Sequence, residues 1–207
     1  MKKIFNPIQL FVSVLFLGGV LGFTSCSDDD DPALPEVTTE AMFGSYTGTM
    51  ETHAVVAHSE GEEAPAGVAV EATVDNDTIY FDQFPIRDIV LSIIGDEEQT
   101  DQIVAALGDI RYKVGYAPAL TEEKDGITFD MDPKPLTLQV PTGIEEGQML
   151  QIEVKVAAVD GAAYTLESQQ LNFSFGATEV LLGEGETQVA LPGFQPLTFE
   201  FQFQKQK

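Results

Sequence analysis

The chain has 207 residues, with 34 Asp plus Glu against 10 Lys plus Arg, two His, one Cys and no Trp, for a formal net charge of −24. That charge repels phosphates and anionic lipid surfaces, which excludes nucleic acid as a partner, and one cysteine excludes an internal disulfide or a Cys-rich zinc site. With 43% hydrophobic residues the chain can nevertheless bury a core.

Lys2 and Lys3 form a positive start, and residues 8–23 are almost wholly apolar. A run of that length is short for a membrane span of about 20 residues, and it is followed by acids rather than a positive flank, so residues 1–25 read as a secretory signal peptide. Phe23-Thr24-Ser25-Cys26 resembles the lipobox of bacterial lipoproteins, with Phe23 where Leu is usual. The resemblance implies that Cys26 is acylated and becomes the first residue of the mature chain. The run Cys26-Ser27-Asp28-Asp29-Asp30-Asp31 is similar to the export signal that Bacteroidetes lipoproteins carry after the acylated Cys. What that implies is an outer-membrane, lipid-anchored and surface-exposed protein, with a periplasm-facing one as the alternative. Read from charge alone, the same acids make a solvated, extended spacer. Residues 26–41 are therefore a lipidated acidic tether, and residues 42–207 a single β-rich domain with 28 acids against 8 bases.

Period-2 alternation dominates that domain. A first strand spans residues 44–53. Val68, Val70, Ala72 and Val74 alternate with polar or small residues, Asp75-Asn76-Asp77 supplies a turn, and Ile79 and Phe81 resume, which predicts a hairpin. Ile86, Ile89, Val90, Ile93 and Ile94 follow helical spacing, with Pro85 before them and Gly95 after. A second short helix spans residues 96–107 and stops at Gly108. Strands are expected at 111–116 and 136–140. Ile152, Val154 and Val156, the dipeptide Asp160-Gly161, then Tyr164 and Leu166 predict a second hairpin with a type I′ turn. Strands at 170–175, 187–191 and 197–203 follow, the last placing Phe199, Phe201 and Phe203 on one buried face. The expected fold is mainly β, an antiparallel sandwich or barrel with one or two short helices, at about 85–107, packed on it as a plug or a gate.

Candidate chemistry is sparse. His53 and His58 would face opposite sides of a continuous strand and make a poor metal pair. No serine elbow, zinc-protease motif or Gly-rich phosphate loop is present, and no catalytic residue is assigned. Four carboxylate pairs stand out: Asp75 with Asp77, Asp130 with Asp132, Glu145 with Glu146, and Glu184 with Glu186. If extended, the first two pairs would each hold two oxygens on one face, a spacing that could bind Ca²⁺, the one cofactor considered. Turn chemistry explains Asp75-Asn76-Asp77 better, and Pro133 after Asp132 marks the other pair as a strand end. Tyr112 and Tyr116 share a strand face about 13 Å apart and could flank a ligand; buried strand tyrosines would look the same.

Met42-Phe43-Gly44-Ser45-Tyr46-Thr47-Gly48, following the signal peptide and acidic run, looks like the opening of small Bacteroidetes lipoproteins classed as domains of unknown function, some lipocalin-like and some sandwiches. The resemblance implies a cell-surface or periplasmic binding or interaction domain, non-enzymatic, held to the membrane by its lipid. Its partner could be a glycan, a small ligand or a protein. The alternatives are a small carboxylate-based glycan hydrolase and a structural or adhesin subunit of a surface assembly. The lack of Trp argues against a sugar-stacking platform.

Overall fold

A computed structural model describes residues 37–54, 67–141 and 148–207. The compact unit that holds the described strands runs from Val37 to Lys207. Cys26, Ser27, Asp28, Asp29, Asp30 and Asp31 lie outside the described residues, as do His58, Glu145 and Glu146.

The strands are β1 (Gly44–Ala54), β2 (Val68–Asp75), β3 (Thr78–Phe81), β4 (Tyr112–Leu120), β5 (Gly126–Pro133), β6 (Leu136–Pro141), β7 (Met149–Thr165), β8 (Gln170–Leu182), β9 (Val189–Ala190) and β10 (Leu197–Lys205). Eight of them close an antiparallel barrel in the order β1-β2-β3-β4-β5-β7-β8-β10, with β10 pairing back onto β1. Closure leaves no free edge around the ring, and it decides the fold between barrel and sandwich. β6 pairs with the first residues of β7 and β9 with the last of β8, so both extend the sheet past one end of the barrel.

Alternation puts every second side chain inside. Phe81, Phe173, Phe175, Phe199, Phe201 and Phe203 are each at most 3% exposed. Ring centroids of Phe173 and Phe201 lie 4.8 Å apart and those of Phe175 and Phe201 5.0 Å apart. Such contacts add to the area these rings bury and fill the barrel with side chains.

The helices are α1 (Arg87–Ile94) and α2 (Glu97–Leu107). Gly95 ends α1 at φ +73°, its N–H bonded to the Leu91 carbonyl, and Asp96 caps α2 by accepting from the Gln99 N–H at 2.9 Å. Phe84, Ile86, Ile89 and Val90 join the core, while the Phe84 N–H bonds the Ile110 carbonyl at 2.7 Å. The helical segment leaves from the end of β3 and returns at the start of β4, so it packs at one rim of the barrel.

Three expectations change. The second hairpin does not form: β7 is one 17-residue strand, and Asp160-Gly161 sits in a bulge where its register on β8 shifts between Val159 and Ala163. Two residues are inserted there, an even number, so Ile152 and Val154 before the bulge and Ala162 and Tyr164 after it all stay inside. Continuous pairing with β8 outweighs the local turn signal, and the hairpin turns instead at residues 166–169, with Gln169 at φ +55°. Secondly, β5 is a full strand, of which the sequence marked only the end, at Pro133. Thirdly, the predicted strand at 187–191 shrinks to the two residues of β9, because residues 185–187 form a 3-10 turn.

The two rims differ. At one, the chain enters through a 3-10 turn (Thr39–Met42) whose Met42 is fully buried, and the turns between β2 and β3, β4 and β5, and β7 and β8 are all five residues or shorter. The opposite rim receives the helices and the longer connections between strands.

Candidate functional site

The interior of the described residues is packed with rings, and the surface depressions lie on the outer wall. Outward side chains form rows across neighbouring strands. One row runs Thr47 on β1, Gln204 on β10 and Gln170 on β8; the next runs Thr49, Gln202 and Asn172. All six are hydroxyls or amides, and none is charged. The Gln204 amide donates to the Ser168 carbonyl at 2.8 Å, whereas the side chains of Gln202 and Asn172 make no hydrogen bond to another described residue. A surface depression of about 570 Å³ lies over these rows, bordered by Gly161 of the β7 bulge.

A second depression, of about 600 Å³, lies on the other side of β1 over β2 and β3 and shares Thr47 and Gly48 with the first. Its wall holds Tyr80, Glu71, Asp82 and Gln83. Tyr80 is 44% exposed. Gly48 makes the junction possible: a Cβ there would stand 2.0 Å from the Gln202 carbonyl oxygen, so only glycine lets β1 and β10 approach this closely.

Farther along the same face Glu51 and Glu200 are direct cross-strand partners. His53 Nε2 sits 3.7 Å from the Glu51 carboxylate and 4.0 Å from that of Glu200. A third depression, of about 470 Å³, marks a seam where β5 and β7 share only three register pairs, from Gly126 to Thr128.

Tyr112 and Tyr116 do share a face, and that face is the interior. They are 7% and 5% exposed, and their hydroxyls donate to the carbonyls of Lys134 at 2.6 Å and Asn76 at 2.8 Å. Burial raises the Tyr112 phenol above its ordinary range and pushes that of Tyr116 up to about 12, with the charges of Asp77 and Asp75 adding to the latter. The rings brace the core and present no open face.

Asn76 turns at φ +47°, so Asp75 ends β2 and Asp77 begins the return, where it accepts from the Thr78 hydroxyl at 2.9 Å. Asp130 faces outward on β5 beside the seam, and Asp132 takes the Lys134 ammonium at 2.6 Å. Among the described residues no three His, Cys, Asp or Glu side chains are grouped as metal ligands.

The residues that sequence reasoning missed are Tyr80 and the amide rows. Tyr80 belongs to the same alternation as Ile79 and Phe81, and its outward phase was the signal that could have found it. The rows need the β8-β10-β1 register, which no local pattern carries.

Residues 41–182, more than half of the chain, match the model of a family described as a domain of unknown function (DUF4840). No curated protein and no solved structure matches.

Proposed function

The chain belongs to the DUF4840 family, a domain of unknown function, and we propose that it is a lipid-anchored, non-enzymatic binding domain of the outer membrane that meets its partner on the outer wall of the barrel. The observation that carries this reading is the filled interior beside two connected outer grooves. Phenylalanine rings in contact fill the interior formed by the described residues, which favours recognition on the outer wall and its depressions.

The anchor rests on the sequence of residues 1–31, with Cys26 as the acylated residue. Two or three acyl chains, each methylene contributing about 0.8 kcal/mol, would hold the protein firmly despite its negative charge.

The test is fatty-acid labelling and membrane fractionation of the wild type and of Cys26→Ala in the producing bacterium. The wild type should take up label and sediment with the outer membrane, and the variant should be unlabelled and soluble. A wild type that sediments without label would overturn the anchor. Hydrolytic release of reducing ends from a glycan would overturn the non-enzymatic reading.

A further inference from the structure

We propose that the paired grooves bind a neutral, polyhydroxylated chain, an oligosaccharide, with Tyr80 stacking on one sugar ring and the amide rows of β8 and β10 hydrogen-bonding its hydroxyls. The inference rests on the outer-wall reading above and names the ligand class that this wall fits.

Charge selects first. A chain of net −24 repels polyanions, and the six side chains shared by β8, β10 and β1 are uncharged, with Glu200 at the border of the first depression and Glu71 continuing the first row onto β2. What they offer is donor and acceptor together, since an amide or a hydroxyl does both. Sugar hydroxyls have the same dual character. A surface with unengaged amides at Gln202 and Asn172 is therefore complementary to a neutral polyol.

Shape and aromatic placement agree. From β8 to β3 the wall crosses four strand spacings of about 4.8 Å, roughly 19 Å along its curve, which suits an elongated ligand. Tyr80 stands at the β3 end and supplies the exposed ring that the absence of Trp had argued against. It is the one tyrosine of five with substantial exposure, the other four being 1–7% exposed. An exposed tyrosine ring attracts the C–H face of a sugar, and Glu71 lines the same groove and can accept from sugar hydroxyls. Thr73 separates Tyr80 from Ser45 in the adjoining row, so this end is polar as well.

The test is titration of the detergent-solubilised full chain with maltohexaose, cellohexaose, xylohexaose and mannohexaose, with polygalacturonate and polylysine as charged controls. Tyrosine emission is a direct probe because the chain has no Trp. At least one hexaose should bind and raise Tm. Tyr80→Ala should weaken that binding about tenfold, Tyr80→Phe should keep it within a factor of three, and Gln202→Ala should weaken it several-fold. Failure of all four hexaoses to bind would overturn the proposal, as would affinity unchanged in Tyr80→Ala. Binding of polylysine alone would overturn the oligosaccharide but leave an outer-wall binding domain, and loss of fatty-acid labelling bears only on the anchor.

Discussion

At Gly48 a single missing methyl group governs how two strands meet. Its Cβ would lie 2.0 Å from the Gln202 carbonyl oxygen, whereas at Gly115 the nearest atom would be 3.4 Å away. Gly48→Ala should therefore cost about 1–3 kcal/mol by overpacking while Gly115→Ala stays close to neutral, as measured by urea denaturation. The buried tyrosines make a second statement at this scale. Tyr46, Tyr112 and Tyr164 are raised, chiefly by burial, and Tyr116 is raised to about 12. The folded state thus prefers the neutral phenol. Its contribution is complete below the ordinary phenol value of about 10 and is lost as pH rises through about 12. Stability should fall over that window together with the growth of phenolate absorbance, and phenolate formation by all five tyrosines near pH 10 without unfolding would contradict the burial. Of these residues the sequence alone shows only that Tyr112 and Tyr116 share a face. Whether the face is wet or dry depends on which side of the sheet the barrel encloses.

Among the elements, α1 and α2 were legible almost to the residue because their signals are local: Pro85, the apolar spacing from Ile86 to Ile94, and Gly95 and Gly108 just past their C-terminal ends. Asp96→Ala should remove the bond to the Gln99 N–H and lower stability by about 1 kcal/mol in a thermal melt. β7 is the counterexample. Asp160-Gly161 is a good turn dipeptide, yet the strand runs on, since β8 offers a pairing partner on both sides of it, from Ile152 to Val159 and from Ala163 to Thr165. The insertion is even, which gives a sharp expectation. Deleting Gly161 alone would turn Ala162 and Tyr164 outward and cost about 3 kcal/mol or more, while deleting Asp160 and Gly161 together keeps them inside and should leave a folded barrel. Circular dichroism and Tm of the two deletions read the difference. Only the end of β5, at Pro133, is read from the sequence: Ile127, Phe129 and Met131 alternate with Thr128, Asp130 and Asp132 as a half-buried strand does, but two aspartates disfavour a strand locally, and the pairing with β4 sets its extent.

Over the whole molecule, closure depends on the last strand. β10 stands between β1 and β8 and supplies Phe199, Phe201 and Phe203 to the core. The family match ends at residue 182, before that strand. A fragment ending at Leu182 would leave β1 and β8 with open edges and remove three rings from the interior, so it should be unfolded by circular dichroism and rapidly cut by protease; a cooperative melt from that fragment would refute the closure argument. The sequence by itself determined the β class, the positions of the helices, the inward phase of the phenylalanines and the acidity that turns away polyanions, because periodicity, caps and charge are properties of neighbouring residues. Only the tertiary structure decided that the sheet closes into a barrel, that Tyr112 and Tyr116 are interior while Tyr80 is exposed, and that hydroxyls and amides from β1, β8 and β10 align into one wall. Those outcomes depend on strand register between residues more than a hundred positions apart, and register is fixed by the packing of the core as a whole.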